Sequence, residues 1–454
     1  MKNSFSRTRV ALKRAAALFP LAILLLACSG GGEDEAPQGG SNGQQPPPSV
    51  QTFSVGGSVA GLAPSTTLTL LNNGSDAVTI GANGTFTFPT KVERGLPFAV
   101  TVAAQPGGQN CSVDSGTGTA AADTTSVSVT CSRIAAAYVV NKGSNTIAQF
   151  AIAADGALKP MALPSIPTGT SPVALTIDPT GKRAYVINQG DNTVSMFRIG
   201  ADGSLPGTAA ITTPTGGNGP SSIAFTPSGR FAYIAHNDGT ATIFSMQSDG
   251  SLTATGTFGP SVKRVTAWSD DLIFLSQEGF AYAALINPVD GSLTLVDGIG
   301  PSRGINAVAV APGAGLMVEG IDNGYFVTAR FDASGVMRNN GGFNSGVGTP
   351  ISAVLADPSG INIYAADSGR NLILWASGDP VTGYALNGTS LPTGQLPMAL
   401  AFDPARKFIY AVNLGANSVS RYSIGSAGEL TPLSEDSVVG AGASAMTTAY
   451  VPLP

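Results

Sequence analysis

A single histidine, His236, stands in a chain of 454 residues of which only 11% are charged. Groups able to move a proton or hold a charge are therefore few. His236, Glu278, Arg303 and Glu319 are the candidate catalytic residues, and Lys263, Arg264 and Asp238 the candidate ligand-binding residues. Guanidinium and ammonium groups beside a histidine or carboxylate can hold an anionic ligand or support acid–base chemistry. The same residues also suit a solvated loop rim, which must be polar in any case. His236 stands where sister repeats carry Asn141, Asn188 and Asn413, and reads as an Asn equivalent that hydrogen-bonds a turn. There is no second histidine for zinc or copper, no Cys-x-x-Cys-His for haem and no P-loop. The Asp-Gly pairs bring too few carboxylates per turn to hold calcium. No metal or cofactor is expected.

These residues need a scaffold that gathers distant loops, and repeats over 134–454 supply it. One marker is a turn followed by a strand, ending at Leu158, Leu205, Leu252, Leu293, Met337, Leu391 and Leu430. The intervals are 47, 47, 41, 44, 54 and 39 residues. A second marker is an apolar run that ends in a turn, as in Pro172–Gly181, Pro220–Gly229 and Pro350–Gly360. A third pairs two strands around a tight turn, as in Tyr185–Phe197. Repeats of this length with four strand-sized segments predict propeller blades. Seven turn markers predict seven blades. Residues 136–141 read as a second strand with no first, and 443–452 as a first strand with no second, so the C-terminal strand should complete blade 1 and remove the free edge. Candidate residues fall in two loop classes that line one channel mouth. Lys142, Asp191, His236, Asp238, Glu278, Glu319 and Asp367 lie at or near turns between second and third strands, and Lys263, Arg264 and Arg303 where successive blades join.

Before the repeats lie three segments. Residues 1–27 carry five basic residues, no acidic one, and an apolar run too short to span a bilayer. Leu25-Leu26-Ala27-Cys28 resembles the lipobox of bacterial lipoproteins, which implies cleavage before Cys28, lipid on its thiol, and a cell-envelope location, with Ser29 implying the outer membrane. Loss of residues 1–27 would move the net charge from −5 to −10, which argues against nucleic-acid partners. Residues 28–50 are polar, Gly- and Pro-rich, and read as a disordered linker. Residues 51–133 read as a small β-sandwich, with hairpin turns expected at Asn73-Gly74 and Asn83-Gly84. Of three cysteines, Cys28 is the lipid site, which leaves Cys111 and Cys131 as a disulfide in an exported protein. Closing that loop contributes roughly 3 kcal/mol in the chain-entropy treatment. The segment resembles Ig-like or carboxypeptidase-regulatory-like modules in its Gly-rich start, its Ala82–Phe88 strand-turn pattern and its late cysteine pair.

The fold class expected is thus all-β, a seven-bladed propeller preceded by a small sandwich. Tyr138-Val139-Val140-Asn141, Tyr185–Asn188 with Asp191-Asn192-Thr193-Val194, and Tyr410–Asn413 closely resemble the lactonase-like, YVTN-repeat propellers over 134–454. That family holds 6-phosphogluconolactonases, cycloisomerases and many binding proteins on one scaffold. Its enzymes carry histidines in a Pro-led inner-strand segment. The matching places are Pro172-Val173-Ala174, Pro220-Ser221-Ser222 and Pro397-Met398-Ala399, and none has one. The resemblance with this departure points to a non-enzymatic module that binds a protein or a small anionic ligand at the channel mouth. A lactonase-type hydrolase is the alternative. For the anchor, metabolic labelling with a fatty acid should mark the wild type and not Cys28→Ala, whereas label kept by that variant would contradict the lipobox reading.

Overall fold

The computed structural model describes residues 49–453 apart from 260, 278, 303, 345–348, 380–382 and 434–438. The expected signal segment, the lipid site at Cys28 and most of the expected linker lie outside the described residues. Val50–Pro454 forms one compact unit. No helix among the described residues is long and apolar enough to cross a membrane.

The first part is a sandwich of two four-stranded sheets. In one, Val55–Ala60 lies between Gly84–Thr87 and Thr124–Arg133, and Gln109–Asp114 forms an edge. In the other, Leu68–Asn72 and Pro97–Ala104 are central. Alternation sends Val55, Leu68, Leu70 and Val129 into a shared core. Cys111 and Cys131 face each other on paired strands and are joined. Asn73 and Gly74 adopt positive φ, 51° and 73°, and close a hairpin. Asn83-Gly84 does not form the hairpin expected of it: the strands on either side, Asp76–Ile80 and Gly84–Thr87, belong to different sheets. Asn83 instead uses its amide to hold both the N–H and the carbonyl of Leu62.

Seven four-stranded blades follow. Their inner strands are Pro172–Ile177, Pro220–Phe225, Val262–Ala267, Ile305–Ala311, Ile351–Ala356 and Pro397–Phe402 in blades 2 to 7, and Ala443–Tyr450 in blade 1. The last of these pairs antiparallel with Ala135–Asn141, so the C-terminal strand closes the ring as the unmatched half-repeats require. The sandwich sits against this closure. Arg133 donates to the carbonyl of Val451 at 3.1 Å and lies 4.6 Å from the centre of the Tyr450 ring. Blade 4 is present although the turn after its inner strand has no Pro-x-Gly; there the N–H of Trp268 donates to the carbonyl of Leu272 at 3.1 Å around Ser269-Asp270-Asp271. The 54-residue interval has a simple cause. Leu391 lies near the far end of the outer strand of blade 6, Gly383–Pro392, whereas Met337 and Leu430 begin theirs.

Successive blades are tied by a recurring bond. A tyrosine in the second strand donates its hydroxyl to the carbonyl of the turn glycine of the next blade. The pairs are Tyr138–Gly203, Tyr185–Gly250, Tyr233–Gly291, Tyr364–Gly428 and, across the closure, Tyr410–Gly156, at 2.5–2.9 Å. These glycines have φ between 77° and 93°, which is why the turn marker carries Gly there. Burial pushes Tyr138, Tyr185, Tyr233 and Tyr364 above the usual tyrosine range, so the hydroxyls stay protonated donors. Each such bond contributes about 1 kcal/mol net, and a buried carbonyl left without its partner would cost more.

Candidate functional site

The channel through the ring is shaped by a bulge repeated in every inner strand. Pairing with the second strand skips one residue, as between Pro172 and Ala174 or Val262 and Arg264. The same skip occurs in blades 3, 5, 6 and 7, and blade 1 has its counterpart at Ala443–Ala445. A bulge turns a side chain away from the regular pleat. The residue after it then falls at one level in all blades: Ala174, Ser222, Arg264, Ala307, Ala353, Ala399 and Ala445. Seven strands converging on one axis leave room for small side chains. Six blades comply, and blade 4 places an arginine there.

A cavity of about 410 Å³ opens at this level, with Arg264 in its wall and Lys142 and Gln189 at its mouth. Arg264 is exposed to the water of the channel, and neighbouring protein atoms displace part of its hydration, which lowers its pKa. Arginine remains charged regardless. No carboxylate is among the lining residues, and none of the ion pairs among the described residues involves Arg264. Lys142 Nζ donates to Gln189 Oε1 at 3.1 Å. The serines of the wall are already engaged as donors. Ser221 reaches the carbonyl of Lys263 at 2.9 Å, Ser222 that of Val265 at 3.3 Å, and Ser352 that of Pro397. They join neighbouring inner strands and are poorly placed to act as nucleophiles.

The other sequence candidates scatter. His236 is buried at the end of the second strand of blade 3 and is not among the lining residues. Its Nε2 lies 3.1 Å from the carbonyl of Thr215 and its Nδ1 3.3 Å from that of Thr240. It packs beneath Gly217 as Asn188 packs beneath Gly169 and Asn413 beneath Gly394. A Cβ on any of these glycines would come within 2.6 Å of the polar side chain. His236 thus holds a turn as its asparagine sisters do. The Asp238 carboxylate accepts the N–H of Asn218 at 2.7 Å and the N–H and hydroxyl of Thr240, which hold its pKa down to about 2. Lys263 is the bulge residue of blade 4 and donates to the carbonyl of Asn237 at 3.2 Å. Glu319 is buried in Leu316–Ile321, opposite Val308 and Val327, and does not line the cavity. Glu278 and Arg303 lie outside the described residues. Gly300-Pro301-Ser302-Arg303-Gly304 has the spacing of a G-x-S-x-G nucleophile elbow. That elbow needs a strand followed by a helix, and here the strand Leu293–Ser302 is followed by the strand Ile305–Ala311. Of the candidates, Arg264 and Lys142 are the described residues that line the cavity.

The family model described as "Lactonase, 7-bladed beta-propeller" matches residues 132–266, a span that ends just past Arg264. Comparison with curated proteins finds no match. Among solved structures, a putative 6-phosphogluconolactonase from Bacteroides uniformis is 19% identical with TM-score 0.62, over 70% of this chain and 99% of that one. The periplasmic gluconolactonase of Pseudomonas aeruginosa is 16% identical with TM-score 0.62, over 70% and 100%. A protein from Lactobacillus plantarum is 16% identical with TM-score 0.61, over 70% and 99%. At these identities the likeness is one of fold, and the chain carries a lactonase-type seven-bladed propeller.

Burial lowers the pKa of His236, outweighing the nearby carbonyls and Asp238. The folded value is therefore below the unfolded one, about 6.5. As pH falls, the unfolded chain takes up the proton first. The stability contributed by neutral His236 is complete above about pH 6.5 and is lost as pH falls toward the folded value. Denaturant midpoints should drop between pH 6.5 and 5 in the wild type and drop less in His236→Asn. Equal slopes in the two proteins would contradict this.

Proposed function

We propose that the propeller admits a small sugar-acid lactone at the channel mouth and opens it by hydrolysis, with Arg264 stabilising the charge that develops. The observation that carries this is the Arg264 guanidinium in the channel wall, near Ala and Ser side chains and with no carboxylate among the described lining residues. Water attacks the lactone carbonyl carbon, and the carbonyl oxygen becomes an oxyanion facing Arg264. The ring C–O bond then breaks, its oxygen takes one proton of the attacking water, and the hydroxy acid leaves as its carboxylate with the other proton released to solvent. A fixed donor at an oxyanion is worth about 10²–10³-fold in rate. The lactonase match over 132–266 supports this reading. The absence of histidine and carboxylate from the described lining favours water attacking as hydroxide, with a rate that rises with pH. It also favours a second reading, in which the site binds the anion without turnover. Tethering of the propeller to the envelope through Cys28 agrees with the Cys111–Cys131 disulfide, which an oxidising compartment sustains.

Proton release from glucono-1,5-lactone and its 6-phosphate separates the readings. The wild type should hydrolyse one of them, and Arg264→Ala should lose roughly 10²–10³-fold in kcat. Wild-type protein that binds gluconate without turnover would favour the second reading. Turnover undiminished in Arg264→Ala would overturn the role of the arginine.

A further inference from the structure

A second tie between blades accompanies the tyrosine bond. At the turn between second and third strands, an asparagine with positive φ reaches across to a backbone N–H at the start of the next inner strand. Asn145 accepts from Ser171, Asn192 from Gly219, Asn371 from Leu396 and Asn417 from Gly442, at 2.7–2.8 Å. The borders of blades 1 and 2, 2 and 3, 6 and 7, and 7 and 1 therefore carry both ties. The border of blades 3 and 4 has Gly239 at the asparagine position but keeps Tyr233–Gly291.

Both borders of blade 5 differ from the rest. Phe274 stands at the tyrosine position of blade 4 and Val318 at that of blade 5. Gly279 and Gly324 stand at the asparagine positions, where they keep the left-handed backbone, φ 92° and 76°, but have no side chain to reach across. The residues themselves thus remove both repeating ties. At the positions of the lost tyrosine ties the contacts are apolar, with the Phe331 ring 4.5 Å from that of Phe274 on one side and Val318 beside Ile351 and Val354 on the other. A polar link at the outer edge runs from the N–H of Met337 to Asp297 at 2.8 Å. Apolar contact is non-directional and resists sliding and tilting less than an aligned hydrogen bond does.

We infer that blade 5 is the sector at which the ring opens, with its inner edge moving about the outer link at Asp297–Met337. The turn glycine of blade 5 is retained: Gly335 has φ 83°, matching the glycines that accept tyrosine elsewhere. Only the donor oxygen on residue 274 is missing. Blade 4 carries Arg264, so motion at this border changes the channel wall beside the cation. The inference holds whatever the channel binds.

Hydrogen–deuterium exchange on the full chain tests it. Amides of Leu316–Ile321 and Tyr325–Phe331 should exchange at least about tenfold faster than those of Arg183–Asn188 and Thr193–Arg198, as expected where local opening is cheaper. Phe274→Tyr supplies the missing hydroxyl, and Gly279→Asn an amide oxygen to accept the N–H of Gly304; at the other border Pro350 stands at the donor position and has no N–H to give. Each should slow exchange in blade 5 by roughly two- to tenfold, the effect of one net hydrogen bond, and leave blade 2 unchanged. Tyr185→Phe should speed exchange at the border of blades 2 and 3. Wild-type exchange in blade 5 as slow as in blade 2 would overturn the inference. So would two added-tie variants that leave blade 5 unchanged while Tyr185→Phe responds. Should the added-tie variants fail to fold, the wild-type comparison and Tyr185→Phe still decide it.

Discussion

Each blade must meet the next at a fixed angle, or seven of them do not close. Apolar packing between twisted sheets tolerates a range of angles. The buried hydroxyl of a second-strand tyrosine, aimed at one carbonyl of the next blade's turn, narrows that range. The turn must present its carbonyl with a left-handed glycine, and so the turn marker and the tyrosine marker recur at a common period. Closure is then a matter of supplying the last inner strand, which Ala443–Tyr450 does against Ala135–Asn141. Arg133 adds a clasp from the sandwich at the residues where that strand ends.

The same convergence makes the site. Where inner strands approach the axis a bulge recurs in each, and the residue after it is alanine or serine in six of the seven blades. An arginine at that level meets the water of the channel, with no carboxylate among the described lining residues. On the reading proposed above, an anion or a developing oxyanion completes it. Lys142 and Gln189 at the mouth come from blades 1 and 2, well round the ring from blade 4, so an occupant would be contacted from separate walls.

Much of the fold was legible because it rests on short-range rules. Tyr138, Tyr185 and Tyr410 with their turns report strand pairs, and the unmatched halves at 136–141 and 443–452 report closure. His236 was readable as an asparagine substitute because its sisters occupy the same register. Asn83-Gly84 misled because the dipeptide marks a backbone conformation, not the sheet to which the next strand belongs. Leu391 misled because the end of an outer strand in blade 6 imitates a turn-and-strand start. Arg264 could be named as a candidate from its loop, but its special place could not. That place depends on the bulge register of blade 4, whose inner strand opens with Val262 in place of the proline that marks blades 2, 3 and 7. Spacing alone likewise grouped Glu319 with the channel, whereas strand pairing places it in the body of blade 5.

The central claim is that Arg264 is the seat of an anion in the channel. Calorimetric titration of the wild type with gluconate, at low salt and at 0.15 M, addresses it without requiring turnover. The account predicts binding that weakens with salt and falls roughly ten- to a hundredfold in Arg264→Gln, as expected for a lost charged hydrogen bond. Equal affinity in wild type and Arg264→Gln would contradict it.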